Sequence, residues 1–119
     1  MKYIELESGE EVTPRFLKVL QKKVPAKLVK KFDKILSSAG FELLTRKQVV
    51  AQDWDPEPHP NVKIWMYWDA AEVVEVHSDG SWMASFTAVA GRSISTLQRK
   101  IAAAKKNAAA GFGFHAEKE

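Results

Sequence analysis

Four side chains of metal-ligating types lie at alternate positions in a proline-rich segment. Asp53, Asp55, Glu57 and His59 are spaced two residues apart, as in a loop that binds a hard cation such as Ca²⁺. Calcium loops need a sharp turn that brings the oxygens together, whereas prolines between these residues favour extended backbone. We therefore interpret the segment as an extended acidic loop and expect no metal site.

Acid–base catalysis is the second chemistry to consider, through His59, His77 and His115. A catalytic histidine needs a partner that orients the ring and a cleft that holds the substrate. His77 follows Glu75 on one strand face, but this is an open sheet, and we expect a surface histidine. The sequence contains no nucleophile elbow, phosphate-binding loop or dinucleotide fingerprint. We predict a protein that is not an enzyme, with no catalytic residues and no cofactor.

The distribution of charge favours a binding function. Net charge is +3, but residues 1–47 contain 11 basic and 6 acidic side chains, and residues 91–119 contain 6 and 2. Residues 48–90 between them contain 1 basic and 7 acidic side chains. Such asymmetry is typical of a surface that binds a polyanion, and it equally suits internal complementarity between basic helices and acidic sheet loops.

The basic residues cluster on two predicted helices. In the last helix Arg92, Arg99 and Lys106 recur every seven residues, and Lys100 and Lys105 are close to them in sequence. Binding of nucleic acid needs such charge to neutralise phosphates and release counterions. We predict a small non-catalytic protein that contacts nucleic acid through Arg92, Arg99, Lys100, Lys105, Lys106, Lys27 and Lys31. The competing interpretation is that these cations only keep the helices soluble.

A different function follows if the aromatic residues of the central strand are exposed. Trp65 and Tyr67 share one strand face, opposite Ile64 and Met66. If helices cover Ile64 and Met66, then Trp65 and Tyr67 lie on the open face, where exposed aromatics act as hot spots for a protein partner. The alternative prediction is thus a protein-binding regulator or inhibitor that uses Trp65, Tyr67 and, from the proline-rich loop, Trp54.

A β-hairpin at Asp79-Gly80 organises the predicted sheet. An Asp-Gly pair between alternating apolar residues is a strong hairpin signal. A two-residue turn would mix apolar and polar side chains on both faces. A three-residue loop over 78–80, with Gly80 left-handed, instead places Val74, Val76, Trp82, Ala84 and Phe86 on one apolar face. Because a slip of one residue sends every side chain to the wrong face, we predict this second register.

Helix signals surround the hairpin. Thr13-Pro14 predicts a helix start, Pro25 separates this helix from a second one, and Gly40 ends the second. Apolar residues of the second helix form a buried stripe at Leu28, Val29, Phe32, Ile35 and Leu36. Residues 41–51 are ambiguous: alternation favours a strand, which we prefer, and Thr45 with Gln48 would instead cap a short helix.

The last helix is predicted to begin at Ser93 or Ser95 and to end at Gly111. We expect its buried stripe to consist of Ile94, Leu97, Ile101, Ala104 and Ala108. Together the elements predict an α+β fold, with an antiparallel sheet of about four strands and three helices packed mainly on one face.

Length and composition limit the remaining possibilities. A chain of 119 residues suits one domain, which we place at 1–111, followed by a flexible tail at 112–119. The sequence has no cysteine and therefore no disulfide or thiolate chemistry. It also lacks an apolar run of the roughly 18 residues that span a membrane. We expect a cytoplasmic protein without membrane partners, and the oligomeric state is left open.

Overall fold

The computed structural model describes residues 4–5, 18–52, 54, 58–87, 89–111 and 113–114. Three helices have defined bounds: α1 is Ala26–Ser38, α2 is Arg46–Ala51 and α3 is Ile94–Ala109, and residues 18–20 are also helical. Six strands accompany them: β1 Ile4–Glu5, β2 Glu42–Leu43, β3 Lys63–Tyr67, β4 Glu72–Val76, β5 Trp82–Ala84 and β6 Val89–Gly91. This combination confirms the predicted α+β class.

The strands form a single sheet in the order β1-β6-β5-β4-β3-β2. Consecutive strands from β2 to β6 pair in antiparallel fashion, and β1 joins the far edge parallel to β6. The antiparallel strands β3, β4, β5 and β6 correspond to the sheet of about four strands that the sequence predicts. The two-residue strands β1 and β2 lie at the two edges of the sheet.

The β4–β5 hairpin has the predicted three-residue loop. Val76 pairs with Trp82 and Val74 with Ala84, while Gly80 has a φ of +87°. The amide of His77 donates to the Ser81 carbonyl at 2.9 Å and closes the loop. The apolar face is therefore continuous, because loop length and side-chain alternation select the same register.

Two long helices cover this apolar face. Phe32 and Leu36 of α1 and Leu97 and Ile101 of α3 are buried against β3, β4 and β5 in one core cluster. The predicted stripe of α3 is wrong at Ala108, which is exposed. The reason is its position in the last turn, beyond the part of the helix that packs on the sheet.

The two helices run side by side in the same direction. At one end, Leu28 near the start of α1 lies against Gly80 of the hairpin loop, and Arg92 just before α3 pairs with Asp79 of that loop. At the other end, the ammonium group of Lys105 donates to the carbonyl of Ala39, immediately after α1. Both helices thus begin beside the hairpin loop and end at the opposite edge of the molecule.

Residues 41–51 do not form the preferred strand throughout. Only Glu42–Leu43 is extended, and α2 follows. Thr45 Oγ1 accepts from the Gln48 amide at 3.1 Å, and Gln48 Oε1 accepts from the Thr45 amide at 2.8 Å. This reciprocal capping box is the alternative that the sequence offered. It prevails because α2 places Val49 in a second core on the other sheet face, with Leu44, Ile64 and Met66.

Several predictions fall outside the described residues. They are the helix start at Thr13-Pro14, the acidic side chains Asp53, Asp55 and Glu57, and the tail residue His115. Two tail residues, Gly113 and Phe114, are described, and Phe114 packs as a partly buried side chain against the main core. The chain therefore contacts the core beyond the predicted domain end at residue 111.

Candidate nucleic-acid interface

The surface formed by α1 and α3 has a strong excess of positive charge. Four lysines lie in α1 and four basic residues in α3, namely Lys27, Lys30, Lys31, Lys34, Arg99, Lys100, Lys105 and Lys106. The only acidic residue of the two helices is Asp33. Its Oδ1 accepts a hydrogen bond from the indole of Trp65 at 2.9 Å. We refer to this surface of α1 and α3 as the helical layer.

Six of these cations are exposed to solvent. All four lysines of α1 are exposed, as are Arg99 and Lys106 of α3. The lysines of α1 are exposed because the apolar side of that helix, with Phe32 and Leu36, packs in the core. Arg99 is held along its own helix, since its guanidinium lies 3.3 Å from Thr96 Oγ1. These side chains can reach a flexible or rigid polyanion without any rearrangement of the backbone.

A groove of about 680 Å³ separates α1 from α3. Lys31 and Lys34 line it from α1, and Lys105 lines it from α3. The other lining residues are mainly apolar: Ile35, Ser38, Ala39, Gln98, Ile101 and Ala102. The groove therefore combines cations at its rim with apolar side chains between them.

Lys105 is held in place at this groove. Its ammonium group donates to the Ala39 carbonyl and lies 5.5 Å from the centre of the Tyr67 ring. A cation at the C-terminus of α1 is stabilised by the helix dipole, and the ring face of Tyr67 adds a cation–π contact. Lys105 thus joins α1 to α3, and these contacts hold its ammonium group at the groove.

Lys100 and Arg92 were also predicted to contact nucleic acid, but their positions in the structure do not suit that role. Lys100 is only 8% exposed, so a phosphate does not reach it in this structure. The prediction failed because one residue step rotates about 100° around a helix, and Lys100 falls on a different side from Arg99. Arg92 precedes α3 and lies 3.8 Å from Asp79, which partly neutralises it.

The predicted aromatic platform is not exposed. Trp65 is fully buried under α1, and Tyr67 is half-buried beside Phe114. The assignment of faces was wrong because Trp65 pairs with Val74, and directly paired residues point to the same side of a sheet. Val74 belongs to the apolar hairpin face, so Trp65 faces the helices. Trp54, also half-buried, donates its indole N–H to the Val49 carbonyl.

His77 is buried, contrary to the expectation of a surface histidine. Its Nε2 lies 2.6 Å from Glu75 Oε2 and its Nδ1 lies 2.9 Å from Ser81 Oγ. The Ser81 hydroxyl donates to Asp79 Oδ1 at 2.6 Å, so its proton is directed to a carboxylate and not to the imidazole. This arrangement of serine, histidine and carboxylates organises the hairpin, and it lacks the proton path that would activate a serine nucleophile.

Partial burial opposes ionisation of Asp79, but other contacts outweigh it. The hydroxyl and the backbone amide of Ser81 both bond to its carboxylate, and electrostatic interaction with Arg92 and His77 adds to this effect. The pKa of Asp79 therefore lies below its ordinary value of 3.8. The hairpin loop is thus negative, and it lies at the end of the molecule where both long helices begin.

Over the part of the chain that the structure describes, no three or more side chains of His, Cys, Asp and Glu group together as ligands for a metal ion. None of the helices in that part combines the length and apolar character needed to cross a membrane. Two large apolar side chains missed by sequence reasoning are exposed, Trp68 at 48% and Val50 at 56%.

No protein-family model, no curated protein and no solved structure matches this chain.

Proposed function

We propose that this protein is a non-catalytic binding protein that contacts the phosphate backbone of nucleic acid through the helical layer. The observation that carries this proposal is the charge imbalance of α1 and α3, where six exposed cations face solvent with no exposed acid between them. Solubility alone would be served equally well by mixed charges on these helices. A one-sign surface of this kind attracts polyanions and steers them to itself.

The dimensions of the helical layer suit a nucleic-acid backbone. At 13 and 16 residues, α1 and α3 are roughly 20 and 24 Å long. Phosphates follow each other about every 3.4 Å along one strand of a duplex, so each helix extends past several of them. Contacts of this type position a protein on nucleic acid without reading its sequence.

The position of acidic residues elsewhere on the molecule also supports binding of nucleic acid through the helical layer. Asp69, Glu72 and Glu75 lie on or beside the hairpin strands and Asp79 lies in the hairpin loop, whereas the helical layer is basic. A polyanion is repelled by the acidic hairpin and attracted by the helices. The protein thus presents one surface to nucleic acid.

Salt dependence of binding tests the proposal. A fluorescein-labelled duplex is titrated with protein at increasing salt, and fluorescence anisotropy gives the affinity. We expect log affinity to fall linearly with log salt, with a slope of about −0.9 for each phosphate contact. Replacing Arg99 and Lys106 with Gln should flatten the slope by roughly two contacts, since glutamine preserves helix propensity and removes the charge.

A matched control has the same change of net charge elsewhere. Lys47 in α2 and Lys63 in β3 are exposed and lie outside the helical layer. The Lys47→Gln, Lys63→Gln variant should keep the wild-type slope. Equal flattening in both double variants would show that overall charge, and not the helical layer, governs binding. Absence of binding at about 50 mM salt, where electrostatic attraction is strong, would rule out the nucleic-acid function.

A further inference from the structure

The apolar lining of the groove between α1 and α3 is not explained by phosphate binding. Ile35 and Ala39 at one side are partly exposed and Ala102 at the other is exposed, so carbon surface meets solvent between the lysines, whereas Ile101 lines the groove but is buried. A phosphate gains nothing from contact with such a surface, because it must give up water without receiving a hydrogen bond. Apolar groups of a ligand, in contrast, would be stabilised there.

The shape of the groove matches a helix. It lies between two helices that run side by side, and a third helix packs into such a depression at an axial separation of about 8–10 Å. Ala39 and Ala102 are small and permit this close approach. Amphipathic helices commonly bind in this way, with apolar side chains one turn apart on the groove floor.

The charges at the rim select the type of helix. Lys31, Lys34 and Lys105 line the groove, and its described lining contains no acidic residue. The aliphatic stems of lysines lie along apolar surface while their ammonium groups reach outward, to where a bound helix would carry its flanking side chains. Glutamate or aspartate at those flanks would form ion pairs, whereas lysine or arginine would be repelled.

A second copy of this chain is a poor occupant through its described helices. The helix α2 contains Arg46 and Lys47 and no acid, and α1 and α3 contain a single acid, Asp33, which is bonded to Trp65. Each of these helices would bring positive charge against positive charge. None of the described helices of this chain is thus complementary to the groove, and a helix of a different protein can supply the acidic flanks.

We infer that the groove between α1 and α3 binds an acidic amphipathic α-helix of a protein partner. Its apolar stripe lies on Ile35, Ala39 and Ala102, and its flanking carboxylates pair with the groove lysines. This interaction goes beyond nucleic-acid binding and does not depend on it. Because Lys31 and Lys34 belong to both surfaces, the partner helix and nucleic acid compete.

A synthetic peptide of about 18 residues, five helical turns, tests the inference. It carries leucine on one face and glutamate on both flanks, with a fluorescein label for anisotropy. One control peptide has the same composition in an order without an apolar face, and another has lysine for glutamate. We expect saturable binding of the acidic amphipathic peptide alone, since the two controls lack the stripe or the charge.

Two protein variants locate the binding site. Ala102 lines the groove, and Ala109, two turns further along α3, is exposed and is not among the lining residues. Ala102→Glu should weaken peptide binding at least about tenfold, because it places a carboxylate under an acidic helix. Ala109→Glu changes net charge equally and should have little effect. In ¹⁵N-labelled protein, the peptide should shift the amide signals of Ala39 and Ala102.

The outcomes separate this inference from the nucleic-acid proposal. The Arg99→Gln, Lys106→Gln variant should retain peptide binding, and a duplex should displace the peptide. The inference is overturned if no peptide binds below about 1 mM, or if the controls bind as well as the acidic peptide. Signals that shift elsewhere would also overturn it. Groove amide signals that respond to the duplex and not to the peptide would overturn it, because they would assign the groove to phosphates. Groove signals that respond only to protein concentration would also overturn it, because they would assign the groove to a second copy of the chain.

Discussion

The indole Nε1 of Trp65 donates a hydrogen bond to Oδ1 of Asp33, and the two atoms are 2.9 Å apart. The contact links the centre of the sheet to the middle of α1. It also accounts for the one acidic residue on the otherwise basic long helices, because a fully buried indole N–H needs an acceptor. Asp33 is thus bonded to a core side chain, and as a single acid it is far outnumbered by the basic residues of the helical layer.

Removal of this acceptor should destabilise the protein. Asp33→Ala leaves the buried N–H of Trp65 without a partner, and we expect the free energy of unfolding to fall by about 1–3 kcal/mol. Urea denaturation followed by tryptophan fluorescence measures the change. Asp33→Asn retains an acceptor oxygen and should lose less stability. Equal losses in the two variants would mean that the hydrogen bond is not the stabilising feature.

A side chain at Gly91 should clash with Trp82. A Cβ atom at residue 91 would lie 2.6 Å from Cζ2 of that ring, which is fully buried and bonded through Nε1 to the Ser93 carbonyl at 3.0 Å. We expect Gly91→Ala to cost about 1–3 kcal/mol through overpacking. In a Trp82→Phe background the smaller ring leaves room, so the same substitution should cost less. A double-mutant cycle measures this coupling, and strict additivity would contradict the proposed clash.

The low pKa of Asp79 should make stability depend on acid pH. Because the pKa is lower in the folded state than its ordinary value of 3.8, folding favours the ionised carboxylate. This stabilisation is complete above the unfolded-state pKa and is lost as pH falls through the folded-state pKa. Wild type should therefore lose its advantage over Asp79→Asn below about pH 4, as measured by urea midpoints from roughly pH 6 to 2.5. A constant difference across this range would exclude a contribution from the Asp79 charge.

Phe114 should contribute to stability although it follows the last helix. Its ring stacks on Tyr67 with centroids 4.9 Å apart and an interplanar angle of 13°, and it meets Phe86 edge-on at 5.4 Å. Such aromatic pairs contribute about 0.5–1.5 kcal/mol beyond the apolar area that they bury. We expect Phe114→Ala to lower the melting temperature and Phe114→Leu to do so less. An unchanged melting temperature for Phe114→Ala would instead support a flexible tail from residue 112.

Local features of the chain were predictable because neighbouring residues decide them. The hairpin register follows from Gly80 and the alternation on either side of it, and the structure confirms the pairing of Val76 with Trp82. The Ser93 side chain caps α3, and Gly40 and Gly111 have the positive φ expected just after a helix. In each case the determining hydrogen bond or dihedral lies within a few residues, so the sequence is sufficient.

Non-local pairing decided what the sequence left open or misassigned. Trp65 is buried because β3 pairs with β4 in the register that places it beside Val74. His77 is buried although its local pattern suits a surface position, and the groove at Lys31 and Lys105 exists only because α1 and α3 lie side by side. The amino-acid sequence determined turns, caps and the alternation of faces. Which face met the helices, and which cations came together, depended on contacts between distant residues that only the folded chain forms.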